Sequence, residues 1–162
     1  MKFISTAILY SGFAFLIISC SGSDTENQVQ PQYQVKNGWA QFRIDNVVWE
    51  APATISMSTG MLTAQRGNEL LQIKLVSDSP GTYNLTTSPS SFVGINQHAG
   101  RDYYSYSCSP AGGRLVISEN DGTYLSGTFN AKICTSDGQS KELTNAIFTR
   151  VLCSNSCKPV LL

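Results

Sequence analysis

Histidine is nearly absent from this chain, which has only one, His98, among 162 residues. Every nucleophilic pair of the Ser-His or Cys-His type would need that side chain, and no Gly-x-Ser-x-Gly or His-Glu-x-x-His motif occurs. Charged residues are also scarce, at 14%, whereas ordinary globular domains have about 25%. Because the charges balance and form no block of one sign, we expect no nucleic-acid partner.

Carboxylates can catalyse reactions without histidine, as a facing pair does in glycoside hydrolysis. The candidates are Glu50, Glu69, Asp102, Glu119, Asp121 and Glu142. Most of them fall in predicted turns or on solvent faces, whereas a catalytic carboxylate needs a shaped, partly dry site. Residues 119–122 resemble a calcium loop but lack its spaced ligands, so we expect a hairpin turn there. The sequence therefore predicts neither an enzyme nor a cofactor.

Helical periodicity with capping residues is also missing after the first segment, and alternation of apolar and polar residues takes its place. Ala40, Phe42 and Ile44 share one face before a tight turn at Asp45-Asn46. The same period recurs at residues 71–75, 115–117 and 125–133. About eight to ten short strands separated by turn signals predict an all-β fold, an antiparallel β-sandwich, with a small lipocalin-like β-barrel as the alternative.

The longest apolar run lies at the start, from Phe3 to Ile18 behind Lys2. It is shorter than the roughly 20 residues that a transmembrane helix needs. The run leads into Ser19-Cys20 through a lipobox-like tetrad, which is typical of a lipoprotein signal peptide. We therefore predict that residues 1–19 are removed and that Cys20 carries the lipid, with acyl chains such as palmitate.

The segment after the cysteine is polar, and residues 20–36 are predicted to be a flexible tether ahead of a single all-β domain at 37–162. A serine, Ser21, follows the lipidated cysteine, which favours the outer membrane as the location. Asp24 and Glu26 are similar to acidic signals for export to the cell surface. Both the periplasmic and the outer face of that membrane remain open at this point.

Lipidation of Cys20 would leave an even number of cysteines, namely Cys108, Cys134, Cys153 and Cys157. In an exported protein an even set predicts two disulfides, and four cysteines allow three connectivities. We favour Cys108 with Cys134 and Cys153 with Cys157, because the first two would end near one rim of a strand meander. A metal site is disfavoured, because Cys153 and Cys157 lack a second closely spaced pair of ligands.

Aromatic residues give the clearest candidate for a binding surface. Tyr103, Tyr104 and Tyr106 lie close in sequence to His98 and Arg101. Aromatic rings offer apolar area with a polar edge, which suits a sugar ring or a protein interface. They also favour strands for packing reasons alone, and we expect Trp39 and Trp49 to be core residues.

Short motifs follow one another along the predicted domain: Phe42–Ala51, Pro80–Leu85, Gly113–Ser118, Leu125–Phe129 and Leu143–Asn145. In this order they resemble a family of small, uncharacterised lipoproteins of Bacteroidota, over about residues 40–151. Ala146 stands where that family tends to have glycine, and the tail from Cys153 to Cys157 looks like an addition. The resemblance implies an exported all-β domain and brings no assigned activity.

Together these features predict a non-catalytic lipoprotein, held in the outer membrane by its lipid, that acts as a binding or accessory module for another envelope protein. The alternative is a surface lipoprotein that binds a glycan, with a polysaccharide as partner. An enzyme of unrecognised type is the third possibility.

Overall fold

Ten β-strands dominate the computed structural model, which describes Gln34, residues 36–154 and Cys157. The strands are β1 (Trp39–Ile44), β2 (Val47–Ser56), β3 (Met61–Arg66), β4 (Glu69–Lys74), β5 (Gly81–Asn84), β6 (Phe92–His98), β7 (Arg101–Tyr104), β8 (Gly112–Asn120), β9 (Tyr124–Cys134) and β10 (Ser140–Ser154). A 3₁₀ turn, Ser105–Ser107, follows β7. No helix in the described part is long and apolar enough to cross a membrane. The predicted signal peptide, Cys20 and most of the predicted tether lie outside the described residues.

The sheet closes on itself. Strand β1 pairs with both β2 and β10, and β7 meets β9 where Tyr104 lies opposite Cys134. Eight strands, β1 to β4 with β6, β7, β9 and β10, thus form a closed antiparallel barrel, and β8 and β5 continue from the free part of β9. The all-β prediction is confirmed, but the preferred sandwich is wrong and the small barrel fits. The long strand β10 is the physical reason, because it pairs with β9 along one edge and with β1 along the other.

The barrel interior is filled by the apolar faces of these strands. Trp49 is fully buried, and its ring stacks on that of Phe42 at a centroid distance of 4.7 Å. The alternating residues predicted to face inward are buried, including Ala40, Phe42, Ile44, Leu71, Ile73, Leu115, Ile117, Leu125, Phe129 and Ile133. Trp39, in contrast, is only half-buried, with the Lys36 ammonium over its ring at 4.5 Å. The sequence prediction of a core role therefore holds for Trp49 alone.

Four hairpin turns lie at one end of the barrel, which we call the turn rim. They are Asp45-Asn46, Gly67-Asn68, Ala99-Gly100 and Thr135–Gln139. Strands β1, β3, β6 and β9 all run toward this end, as the antiparallel pairings require. Asp45 and Asn46 have φ of 51° and 62°, as the predicted two-residue turn demands. Charged residues next to these turns are thereby brought together.

Both disulfides have the connectivity that the sequence analysis favours. Cys108 bonds to Cys134, which ties the segment after β7 to the end of β9. Cys153 bonds to Cys157, next to a short parallel contact between β10 and β2. The chain thus has covalent links at the end of β9 and at the end of β10.

Candidate functional site

A bulge in β6 directs His98 into the mouth of the barrel. The pairing of β6 with β7 shifts register between Ile95 and His98, and Gln97 takes a left-handed φ of 60°. The Gln97 N–H donates to Asp102 Oδ1 at 2.8 Å, which holds the bulge in place. The extra residue turns His98 toward the inner face, where its ring meets Tyr103 edge-on at 6.1 Å.

Glu69, the first residue of β4, is the central acceptor at this mouth. Its Oε2 accepts hydrogen bonds from Trp49 Nε1 at 2.9 Å and from Arg66 Nη2 at 2.6 Å. Its Oε1 lies 2.5 Å from His98 Nδ1. Because an ionised carboxylate only accepts, the proton of this bond belongs to His98 Nδ1. The buried indole, the guanidinium and the imidazole therefore share one partly buried carboxylate.

Asp45 extends the network across the rim. Its Oδ2 accepts a hydrogen bond from Lys141 Nζ at 2.6 Å and lies 3.6 Å from His98 Nε2, which is beyond hydrogen-bond distance. We call Asp45, Arg66, Glu69, His98 and Lys141 the rim cluster. It links the first hairpin turn, the β3–β4 hairpin, β6 and β10.

Both carboxylates of the rim cluster are held ionised. Partial burial raises the pKa of Glu69, but hydrogen bonds from Arg66, His98 and Trp49 outweigh it and bring the pKa below its ordinary value of 4.5. The hydrogen bond from Lys141 is the largest influence on Asp45 and lowers its pKa below 3.8. Each carboxylate thus faces a cation, which suits a clasp that holds the turns.

We expect acid to weaken the barrel through this clasp. A carboxylate whose pKa is depressed in the folded state stabilises the fold above its unfolded pKa, and that contribution is lost as pH falls through the folded value. The urea midpoint should therefore become lower once the pH falls below about 4.5, the ordinary pKa of Glu69. Urea titrations at neutral and acidic pH, with Glu69→Gln alongside, test this. An equal acid-induced drop in both proteins would show that Glu69 is not responsible.

The predicted tyrosines separate into two groups. Tyr103 is only 2% exposed and faces the interior, so it is not part of an outer surface. Tyr104 and Tyr106 are partly exposed, and their rings stack at 4.9 Å with 13° between planes. Phe92 meets both rings edge-on, at 5.9 and 5.3 Å. We call Phe92, Tyr104 and Tyr106 the tyrosine surface.

The tyrosine surface is rigidly supported. Tyr104 lies over Gly94, where an added Cβ would come within 2.4 Å of its ring, so only glycine leaves room for this packing. The Tyr104 hydroxyl accepts a hydrogen bond from Asn96 Nδ2 at 2.7 Å. Burial raises the pKa of Tyr106 above 10.0. Preorganised aromatic rings of this kind lose little conformational entropy on binding.

The remaining predicted site residues take structural places. Arg101, the first residue of β7, pairs with Asp137 of the β9–β10 turn at 2.6 Å. It does not share the partner of His98, which is Glu69. Asp121 accepts backbone N–H groups of Thr123 and Tyr124 in the expected hairpin turn, which lies at residues 121–123, while Glu119 and Asn120 still belong to β8. Across residues 34, 36–154 and 157, no cluster of three or more His, Cys, Asp or Glu is placed to hold a metal ion.

The rim cluster was not predicted from the sequence. Apart from Arg66 and Glu69, which flank one hairpin turn, its members are distant along the chain, and the alignment of the hairpin turns brings them together. A signal was nevertheless present, because Asp45, Arg66, Glu69 and His98 each lie within two residues of a turn.

Comparison with known proteins identifies a family for this chain. No significant match is found among curated proteins or among solved structures. Residues 36–152, which include all the strands up to the last residues of β10, match the model of a domain of unknown function (DUF6252). The chain belongs to this DUF6252 family.

Proposed function

We propose that this protein is a non-catalytic binding module, anchored in the outer membrane through lipid on Cys20, that docks on another envelope protein through the tyrosine surface. The anchor rests on the lipobox-like sequence at residues 17–20. The absence of catalysis is supported by the rim cluster, in which both carboxylates are engaged by cations.

A single observation carries the docking proposal: two tyrosine rings are stacked and fixed on the outside of the barrel and stay partly exposed there. Gly94 and Asn96 support them from below. Tyrosine is enriched among the residues that dominate binding energy at interfaces, because it offers large area with a polar tip. A fold that needed the rings only for packing would bury them, as it buries Tyr103.

The mutual stacking favours a protein partner over a glycan. A sugar ring stacks on an open aromatic face. Here each tyrosine covers one face of the other, and Phe92 contacts both. The surface is therefore a compact aromatic cluster instead of a flat platform, which suits insertion into a pocket of a partner.

The test is crosslinking of the full-length lipidated protein in its native envelope, comparing wild type with Tyr106→Ala. We expect one stoichiometric protein partner, and we expect Tyr106→Ala to reduce its recovery about tenfold or more, as for a hot-spot residue. Tyr124→Ala is the matched control, because Tyr124 is a partly exposed tyrosine that packs under Arg150 instead.

Equal recovery with both variants would refute the tyrosine surface as the docking site. Absence of any protein partner would favour the glycan alternative.

A Cys20→Ala variant in the same envelope preparation should leave the membrane fraction, and its retention there would contradict the lipid anchor.

A further inference from the structure

Unpaired charged side chains gather on one outer face of the sheet. Among the charged side chains of residues 36–154, only Arg114, Lys132 and Glu142 make no ion pair, hydrogen bond or ring contact. They stand on β8, β9 and β10, which are neighbours in the sheet. Lys132 lies directly opposite Glu142 in the register, yet the two are not ion-paired. The other charged side chains of the described barrel have partners, so the unpaired charges are concentrated on this one face.

A depression of about 440 Å³ opens on this face, between the segment Pro110–Gly113 and the strands β9 and β10. A second depression of about 300 Å³ lies next to it, near Asp45 and Lys141, and the two share Glu142 and Thr144 in their walls. Gly112 and Gly113 contribute backbone without side chains to the wall of the larger depression. We call the two depressions together the polar groove.

The groove offers hydrogen-bonding groups of both kinds. Asn130 Oδ1 accepts a hydrogen bond from the backbone N–H of Arg114 at 3.0 Å, which leaves the hydrogens on Asn130 Nδ2 as donors. Thr144 adds a hydroxyl, and Glu142 adds a carboxylate acceptor. Apolar surface makes up the larger part of the lining of the first depression, which includes Pro110, Ala111, Ala131 and Leu143. A ligand rich in hydroxyl groups matches this mixture, because each hydroxyl both donates and accepts.

The charges narrow the ligand class further. Lys132 and Glu142 line the larger depression, and the unpaired Arg114 stands beside it on the same face, opposite the lining residue Asn130 in the register. An acidic group on the ligand would pair with the cations, while neighbouring hydroxyls donate to Glu142. A simple anion would satisfy only the first requirement and would be repelled by Glu142. We therefore propose that the polar groove binds an acidic oligosaccharide, a chain of sugars that bear carboxylate groups.

This site is separate from the tyrosine surface, and the proposal does not depend on it. The groove lies along β1, the first hairpin turn, β8, β9 and β10, whereas the tyrosine surface lies on β6, β7 and the 3₁₀ turn. A Tyr106→Ala variant should therefore bind the oligosaccharide like wild type. The two proposals can fail independently.

The experiment measures binding of a galacturonate hexamer to the full-length protein in detergent by titration calorimetry. We expect saturable binding that weakens with salt, and a loss of affinity of about tenfold or more in Lys132→Ala, because that variant loses a charge-assisted hydrogen bond to the ligand. Lys36→Ala is the matched control, since Lys36 is a lysine that pairs with Glu50 on another part of the surface. Its affinity should equal that of wild type.

Three outcomes would overturn the proposal. The first is no binding of the hexamer at millimolar concentration. The second is an equal loss in Lys132→Ala and Lys36→Ala, which would indicate nonspecific attraction. The third is equal affinity for a neutral maltohexaose, which would show that the charges of this face do not select the ligand. Loss of affinity in Lys132→Ala alone, with an unchanged unfolding midpoint, would support it.

Discussion

Replacement of Gly127 by alanine should destabilise the barrel by about 3 kcal/mol or more, because forced overpacking in a core strand costs about 1–3 kcal/mol even where neighbours can yield. A Cβ at this position in β9 would lie 2.2 Å from the backbone oxygen of Val116 and 2.5 Å from Phe148 Cζ. The Val116 oxygen is part of the neighbouring strand, and Phe148 is fully buried. Neither can move without disturbing the sheet or the core. Urea unfolding monitored by tryptophan fluorescence measures the loss.

The control for Gly127→Ala is Gly112→Ala. Gly112 lies on β8, which pairs with β9, but its nearest neighbour to an added Cβ is Lys132 Cβ at 3.9 Å, an ordinary contact. We expect its unfolding midpoint to stay near that of wild type. Equal midpoints for the two variants would contradict the close approach of β8 and Phe148 to Gly127.

The strands were predictable from the sequence, but their closure was not. Alternation at Ala40, Phe42 and Ile44 identifies a strand with one buried face, and the turn at Asp45-Asn46 fixes its hairpin. That alternation is the same in a sandwich and in a barrel. Closure depends on long-range pairing, above all on β10 lying between β9 and β1. No local pattern encodes this choice.

The aromatic candidates were predictable in part. Tyr103 and Tyr104 are consecutive residues of β7, and consecutive residues of a strand face opposite sides of the sheet. The structure accordingly buries Tyr103 and leaves Tyr104 outside. The position of His98 could not be inferred in this way, because the bulge at Gln97 reverses the alternation. Bulges of this kind change the direction of a side chain without a strong sequence signal.

Glu69→Ala should be the second substitution with a large effect, because Glu69 is the central acceptor of the rim cluster. We expect the free energy of unfolding to fall by about 3 kcal/mol. The substitution removes the acceptor of the buried Trp49 indole, of Arg66 and of His98 at once. Leaving a buried donor unsatisfied costs about 1–3 kcal/mol, and the cost is larger for charged groups. Glu69→Gln should lose less, because one oxygen remains to accept while the charge is removed. The unfolding midpoint in urea, at neutral pH, ranks the three proteins.

Glu50→Ala is the comparison for Glu69→Ala, because Glu50 pairs with a cation at the surface whereas Glu69 does so in a partly buried place. Glu50 also has two partners, Lys36 at 2.6 Å and Gln41 at 2.7 Å, but the pair with Lys36 is exposed. Exposed ion pairs contribute about 0–1 kcal/mol. Glu50→Ala also removes the shorter hydrogen bond of the buried Gln41 amide, so we expect a loss that is measurable but smaller than in Glu69→Ala, which strands three donors. If Glu50→Ala and Glu69→Ala were equally mild, the rim cluster would not hold the turns together. If only Glu69→Ala is severe, the stability of the barrel mouth depends on the carboxylate that Trp49, Arg66 and His98 share.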